Sequence, residues 1–201
     1  MIIIESKRKK AENILKAYPN AILADVTSGA KDDLVKLSPF FPHYGIPVPF
    51  SDGYTATCVE AVWQGLKVFE SCDVDVQMFQ NDTMKNIKRT VRRFGKPLGH
   101  RKGVYGTELL GYIEARKLIY IPTYRWVLEN KVVSIIERLK EASKTKTIVL
   151  LDYDTNADVE NTKKPLSHAS LIKAYVEGIY PYGKEKVKKE NNIIELDLFN
   201  Q

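Results

Sequence analysis

Acidic residues are missing from one long stretch of this chain. Between Thr83 and Thr107 there is no Asp or Glu, against eight basic residues: Lys85, Lys88, Arg89, Arg92, Arg93, Lys96, Arg101 and Lys102. Much of the net charge of +6 is therefore concentrated in one block. Such a block is either a solvated helix face or a surface that attracts polyanions, nucleic acid or a nucleotide diphosphate. Cysteine is scarce as well. Cys58 and Cys72 show neither CxxC nor Cys/His ligand spacing. That argues against a disulfide framework and a zinc site, and suggests reduced thiols in a cytoplasmic protein. His43, His100 and His168 lie in separate segments without metal-ligand spacing, so no metal site is expected. No apolar run approaches the roughly 18 residues of a membrane span, and the three isoleucines before SKRKK are too short for a signal sequence. A GxSxG elbow, a Walker A loop and a GxGxxG fingerprint are all lacking, which leaves little support for a serine nucleophile or those nucleotide folds.

At 201 residues the chain fits one globular domain with a core that needs no staples. The expected domain covers residues 1–183, with a charged tail at 184–201. Helices are expected at 11–18, 57–69, 82–94, 107–118, 124–139 and 166–176, and strands at 21–27, 119–121 and 147–153. Ser38 to Ser51 (SPFFPHYGIPVPFS) carries four prolines and four aromatics. It reads as an ordered loop or edge segment, and as a candidate pocket wall.

The spacing of Glu60, Gln64 and Lys67 is the most informative feature present. At i, i+4 and i+7 they form a polar stripe beside an apolar face of Val59, Val62, Trp63, Leu66 and Phe69. An acid, an amide and an amine in line can hold a water, a sugar hydroxyl and an anionic group. An ordinary surface stripe has the same spacing. The loop GKPLGHRKG (95–103) is of the phosphate-cradle type, with Arg101 and Lys102 adding charge, or else a plain solvated turn. Asp152 and Asp154 end the clearest buried strand, where open α/β sheets gather ligands. They fit water activation or stabilisation of a cationic sugar, while an Asx-turn or N-cap is the alternative for Asp154 and Asn156.

The order of these pieces resembles the NADAR superfamily. An aromatic–proline segment leads to E-x-x-x-Q-x-x-K-x-F on Glu60, Gln64, Lys67 and Phe69, followed by Arg93, Gly95, Pro97 and Leu98. The match is convincing over about residues 38–101 and looks most like a divergent, uncharacterised bacterial or phage branch. The family's closing nDxxWGxG is absent, with DYDTNAD and PLSHAS in roughly its place. The resemblance implies an α-rich α+β fold with few short strands. It also implies an N-glycosidase acting on a ribosyl phosphate, an ADP-ribosyl compound or ADP-ribosylated nucleic acid, chemistry that needs no cofactor. Glu60 falls on the family's catalytic Glu, and Trp126 with Asp152 or Asp154 stands for its later Trp and Asp. On this reading Lys67, Arg93, Arg101 and Lys102 hold phosphates, and Trp63, Trp126 or Tyr44 stacks on the base, although Trp63 also fits a pure core role. The rivals are a nucleic-acid-binding module built on Lys85 to Lys102 and a non-catalytic nucleotide-binding protein.

Overall fold

Ile148–Asp152 is apolar on both faces and needs cover from two sides, which suits the centre of a parallel sheet. The computed structural model of the chain describes residues 1–181 and places the segment there. β1 (Ile2–Ser6) leads through α1 (Ala11–Ala17) to β2 (Ile22–Asp25). The two strands do not pair with each other. Ile148–Asp152, β8 in chain order, lies between them and runs parallel to both, with Ile4 and Ala24 flanking Leu150. All three strands therefore end at the same edge. There Lys7 donates its backbone N–H to the Asp152 carbonyl at 2.8 Å, and its Nζ reaches Asp25 Oδ2 at 2.5 Å and Thr27 Oγ1 at 2.8 Å.

The excursion between β2 and β8 holds the rest of the fold. The proline-rich segment is ordered, as expected. Its Ile46–Pro47 (β3) pairs with Thr55–Ala56 (β4) in a two-stranded ribbon, where prolines are tolerated at an edge. Next come α2 (Val59–Gly65) and β5 (Lys67–Phe69). The expected helix at 57–69 thus stops four residues early. The alternation of Lys67, Val68 and Phe69 goes into an antiparallel sheet with β6 (Pro97–Arg101) and β7 (Leu109–Leu110), in the order β5-β6-β7. Every residue of α2 is buried. A Cβ on Gly65 would stand 2.2 Å from Cε1 of the buried Phe79 ring, so helix and ring need a glycine there.

The helix expected at 82–94 shrinks to α3 (Val91–Phe94). Met84 and Asn86 adopt left-handed φ values of 57° and 56°, which no helix accommodates. The Asn81 side chain, which bonds Thr83 and Lys85, sets the turn instead. Nor do all the basic residues point outward, since Arg89 is buried. The helix expected at 107–118 begins only at Tyr112, beyond β7, as α4 (Tyr112–Ala115), and it runs into a π-helical turn, Arg116–Tyr120, in place of the strand expected at 119–121. That turn runs on into α5 (Ile121–Asn130). The wider turn lies directly ahead of Pro122, whose missing N–H leaves a regular helical ladder incomplete. The single helix expected at 124–139 is two: α5, then α6 (Val133–Thr145), broken at the buried Val132. α7 (His168–Val176) completes the described fold, and the expected charged tail at 184–201 lies outside the described residues.

The architecture is α+β, with short strands in small sheets. Buried apolar residues from Ile2 to Ile172 form one core cluster. Among the described residues no helix is long and apolar enough to cross a membrane.

Candidate functional site

α2 starts where Cys58 Sγ accepts the Ala61 N–H at 3.3 Å, while the Glu60 N–H donates to the Pro39 carbonyl at 2.9 Å. The proline-rich segment therefore anchors the helix turn that carries Glu60. Glu60 is only 8% exposed, and its Oε1 accepts a hydrogen bond from Gln64 Nε2 at 2.9 Å. Burial raises its pKa. The Gln64 hydrogen bond and the cations Lys88 and Lys67 oppose that rise.

Glu60 lines a cavity of about 480 Å³, within the range of small-molecule sites. Its walls come from distant parts of the chain. Ser38, Pro39 and Phe40 form one side, and the segment 88–91 another. Trp63, Tyr112 and Tyr120 form an aromatic wall, with Trp63 meeting Tyr112 at 5.9 Å and Tyr120 at 5.7 Å, both edge-on. The sheet contributes Thr27 and Ser28 after β2 and Asp152, Tyr153 and Asp154 at the end of β8. This is the carboxyl edge of a parallel sheet, where ligands commonly gather.

Two lysines reach this cavity, Lys67 and Lys88. Lys67 Nζ lies 5.2 Å from the Phe69 ring and Lys88 Nζ 5.7 Å from Phe40, and among the described residues neither is ion-paired. Burial lowers the Lys67 pKa, with Glu60 opposing and Arg89 adding to the shift. Although Lys67 has left the helix for β5, it still shares the cavity with Glu60 and Gln64. Arg89 lies deeper and acts as a clamp. Its Nη1 donates to the carbonyls of Gln64 at 3.1 Å and Lys67 at 2.6 Å, and its Nη2 to Cys72 Sγ and the Asp73 carbonyl.

The two strand-end acids differ. Asp152 Oδ2 accepts from Ser167 Oγ at 2.8 Å and the Ala169 N–H at 3.3 Å, and pairs with His168 Nδ1 at 3.0 Å. His168 Nε2 faces the Val26 carbonyl at 2.8 Å, so both ring nitrogens meet acceptors. Burial pushes the Asp152 pKa up, but His168, Ser167 and the Ala169 N–H outweigh it and hold the carboxyl below its usual range. Asp152 thus caps α7 and tethers it to the sheet. Asp154 lines the cavity half-buried, and among the described residues its carboxylate has no hydrogen-bond partner.

Five residues singled out in the sequence do not line this cavity. Arg101 is held by Asp73 through Nε at 3.0 Å and Nη2 at 2.7 Å, and Lys102 by Glu108 at 2.7 Å, so the loop 95–103 is strand and ion pair rather than an open phosphate cradle. Arg93 lies exposed beside Phe94. Tyr44 is exposed and bonds Asp82 at 3.0 Å. Trp126 lies against the core on α5, near Lys131. Trp63 is buried in the core, one of its two expected roles, and also forms part of the cavity wall. It lies over His100 at 3.7 Å, and burial drives the His100 pKa down to about 3.

Lys88, Tyr112, Arg116 and Tyr120 line the cavity without being among the site residues expected from the sequence. A usable signal existed in the four-residue spacing of Tyr112, Arg116, Tyr120 and Tyr124, which sets one row along a helix.

Fold and site together define an α+β domain with an acid- and lysine-lined cavity at the carboxyl edge of a parallel sheet. The chain belongs to the family of unknown function DUF6939, whose model matches residues 6–172. No curated protein matches it.

Proposed function

We propose that the protein is an N-glycosidase that hydrolyses the bond between a base nitrogen and C1′ of a ribosyl phosphate or ADP-ribosyl substrate. The observation that carries this reading is the Glu60 carboxylate lining a cavity together with Lys67 and Lys88, neither of which forms a salt bridge among the described residues. As the C1′–N bond breaks, its electron pair leaves with the base and positive charge builds on the sugar. A preorganised, largely buried carboxylate stabilises that charge, and Glu60 takes this role. Water adds its oxygen to C1′ and gives up one proton to Asp154, which passes it to the departing nitrogen, so that the hydroxyl ends on the sugar and the hydrogen on the base. Lys67 and Lys88 hold the phosphate, while Trp63 and Tyr112 flank the base. The resemblance of the Glu60–Phe69 motif to the NADAR superfamily supports the same assignment.

The basic stretch gives less support to a phosphate-tracking surface. Arg89 is buried, and Arg101 and Lys102 are engaged by acids, which leaves fewer free cations than the sequence suggests. We place the activity in the cytoplasm, in keeping with the two free thiols, Cys58 and Cys72.

Chromatographic detection of free base tests the reading, across pyrimidine-ribose phosphates, NAD and ADP-ribosylated DNA. Wild type should release base from at least one of them. Glu60→Gln should lower turnover by about 10²-fold or more while ribose 5-phosphate still binds. Absence of base from every substrate, or undiminished release by Glu60→Gln, would overturn it.

A further inference from the structure

Three tyrosines and one arginine follow each other at four-residue intervals through the π-helical turn: Tyr112, Arg116, Tyr120 and Tyr124. Their polar ends meet different fates. Tyr112 Oη accepts a hydrogen bond from Arg116 Nη2 at 3.2 Å, beneath a guanidinium 4.4 Å from the ring. Arg116 also ties down the carbonyls of Val159, Asn161 and Lys164. Tyr124, fully buried, donates to the Leu37 carbonyl at 2.6 Å. Tyr120 lines the cavity, and among the described residues its hydroxyl has no hydrogen-bond partner.

The Tyr120 ring is firmly placed all the same. It stacks on Tyr124 at 6.4 Å with 10° between the planes and meets Trp63 edge-on at 5.7 Å. A rigid aromatic ring with an uncommitted hydroxyl is a pre-oriented donor and acceptor for a ligand. π-Helical turns are frequent at functional sites, and this one ends on Tyr120. Burial raises its pKa, and the Glu60 and Asp152 carboxylates raise it further, so the phenol stays protonated and able to donate.

We propose that Tyr120 is a substrate-contacting residue whose hydroxyl donates a hydrogen bond to a sugar oxygen of the ribosyl ligand beside Glu60, making the site selective for the sugar over bare phosphate. The inference rests on the ribosyl-phosphate reading above, but it requires only binding and no bond cleavage. A site built to pair with a sugar oxygen loses affinity when its donor is removed, because that oxygen gives up hydration on binding and finds no replacement donor on the protein.

The test is calorimetric titration of wild type, Tyr120→Phe and Tyr124→Phe with ribose 5-phosphate and with inorganic phosphate. Wild type should bind ribose 5-phosphate more tightly than phosphate. Tyr120→Phe should lose about tenfold in affinity for ribose 5-phosphate, with phosphate binding unchanged as the check that the cavity is intact. Tyr124→Phe should melt at lower temperature without that selective loss, which separates a contact from a packing role. Equal ribose 5-phosphate affinity in wild type and Tyr120→Phe, or no binding of it by wild type, overturns the proposal. Selective loss in Tyr120→Phe without base release by wild type would sink the hydrolytic reading alone.

Discussion

Gln64 accepts the backbone N–H of Arg89 on its side-chain oxygen at 3.1 Å, and its own carbonyl accepts from the Arg89 guanidinium at the same distance. The amide of Gln64 then turns its Nε2 to Glu60. Arg89 therefore sets the orientation of the amide that holds the carboxylate, and docks the segment 82–90 against the end of α2.

Arg89→Met keeps an aliphatic stem near Phe69 and Phe94 but strands three carbonyls and a thiol. We expect a loss of about 2–4 kcal/mol, since hydrogen bonds to a charged donor are worth more than neutral ones and relief of guanidinium desolvation offsets part of it. Urea unfolding gives the magnitude. Faster tryptic cleavage at Lys85 and Lys88 would report local release of the segment.

Glu60→Gln should stabilise the protein at neutral pH. Burial raises the Glu60 pKa above its unfolded value. Its contribution to stability is therefore fully present below the unfolded pKa and is lost as pH rises through the folded pKa. The amide removes a desolvated charge. Melting near pH 7 should rise by about 2–4 °C per kcal/mol gained, with the difference from wild type fading towards about pH 4. A lower melting temperature at pH 7 would contradict this.

Asp152→Asn should act in the opposite direction. The folded pKa of Asp152 is depressed, so its stabilisation is present above the unfolded carboxyl pKa and disappears as pH falls through the folded value. Weakening the carboxylate that accepts from Ser167 Oγ, the Ala169 N–H and His168 Nδ1 should cost about 1–3 kcal/mol at pH 7. Unfolding followed from pH 7 downward should show wild type losing stability in acid while the variant, already weakened, loses less.

Gly65→Ala sets two effects against each other. Alanine favours a helix by up to about 1 kcal/mol, less at the last residue of α2. The new Cβ meets Cε1 and Cδ1 of Phe79 at 2.2 and 2.6 Å, and overpacking of that kind costs about 1–3 kcal/mol. The clash wins, and thermal melting should fall by several degrees.

Local patterns made part of this fold readable. α1, β2, β8 and α7 follow from apolar spacing and from the proline and glycine stops around them. Residues 82–94 did not, because Met84, Ile87, Val91 and Phe94 mimic helical spacing while Asn81 locks a left-handed turn that periodicity does not register. Glu60 was legible because its motif is local, and its burial was not, because cover comes from Pro39 and from residues far along the chain. Arg101 and Lys102 looked free since their partners, Asp73 and Glu108, lie outside the loop that drew attention to them. Tyr120 went unseen for a related reason: the short Ile119–Ile121 run before Pro122 looks like a strand.

The placement of β8 between β1 and β2 has a consequence for synthesis. The two outer strands leave the ribosome more than a hundred residues before the strand that joins them. Until then they are two unpaired edges with a gap, exposed to mispairing, and the long loop closure makes late assembly slow. Asp152 and Asp154 emerge with the missing strand, so the nascent chain gains the two cavity-lining acids of the sheet only when the sheet itself can close.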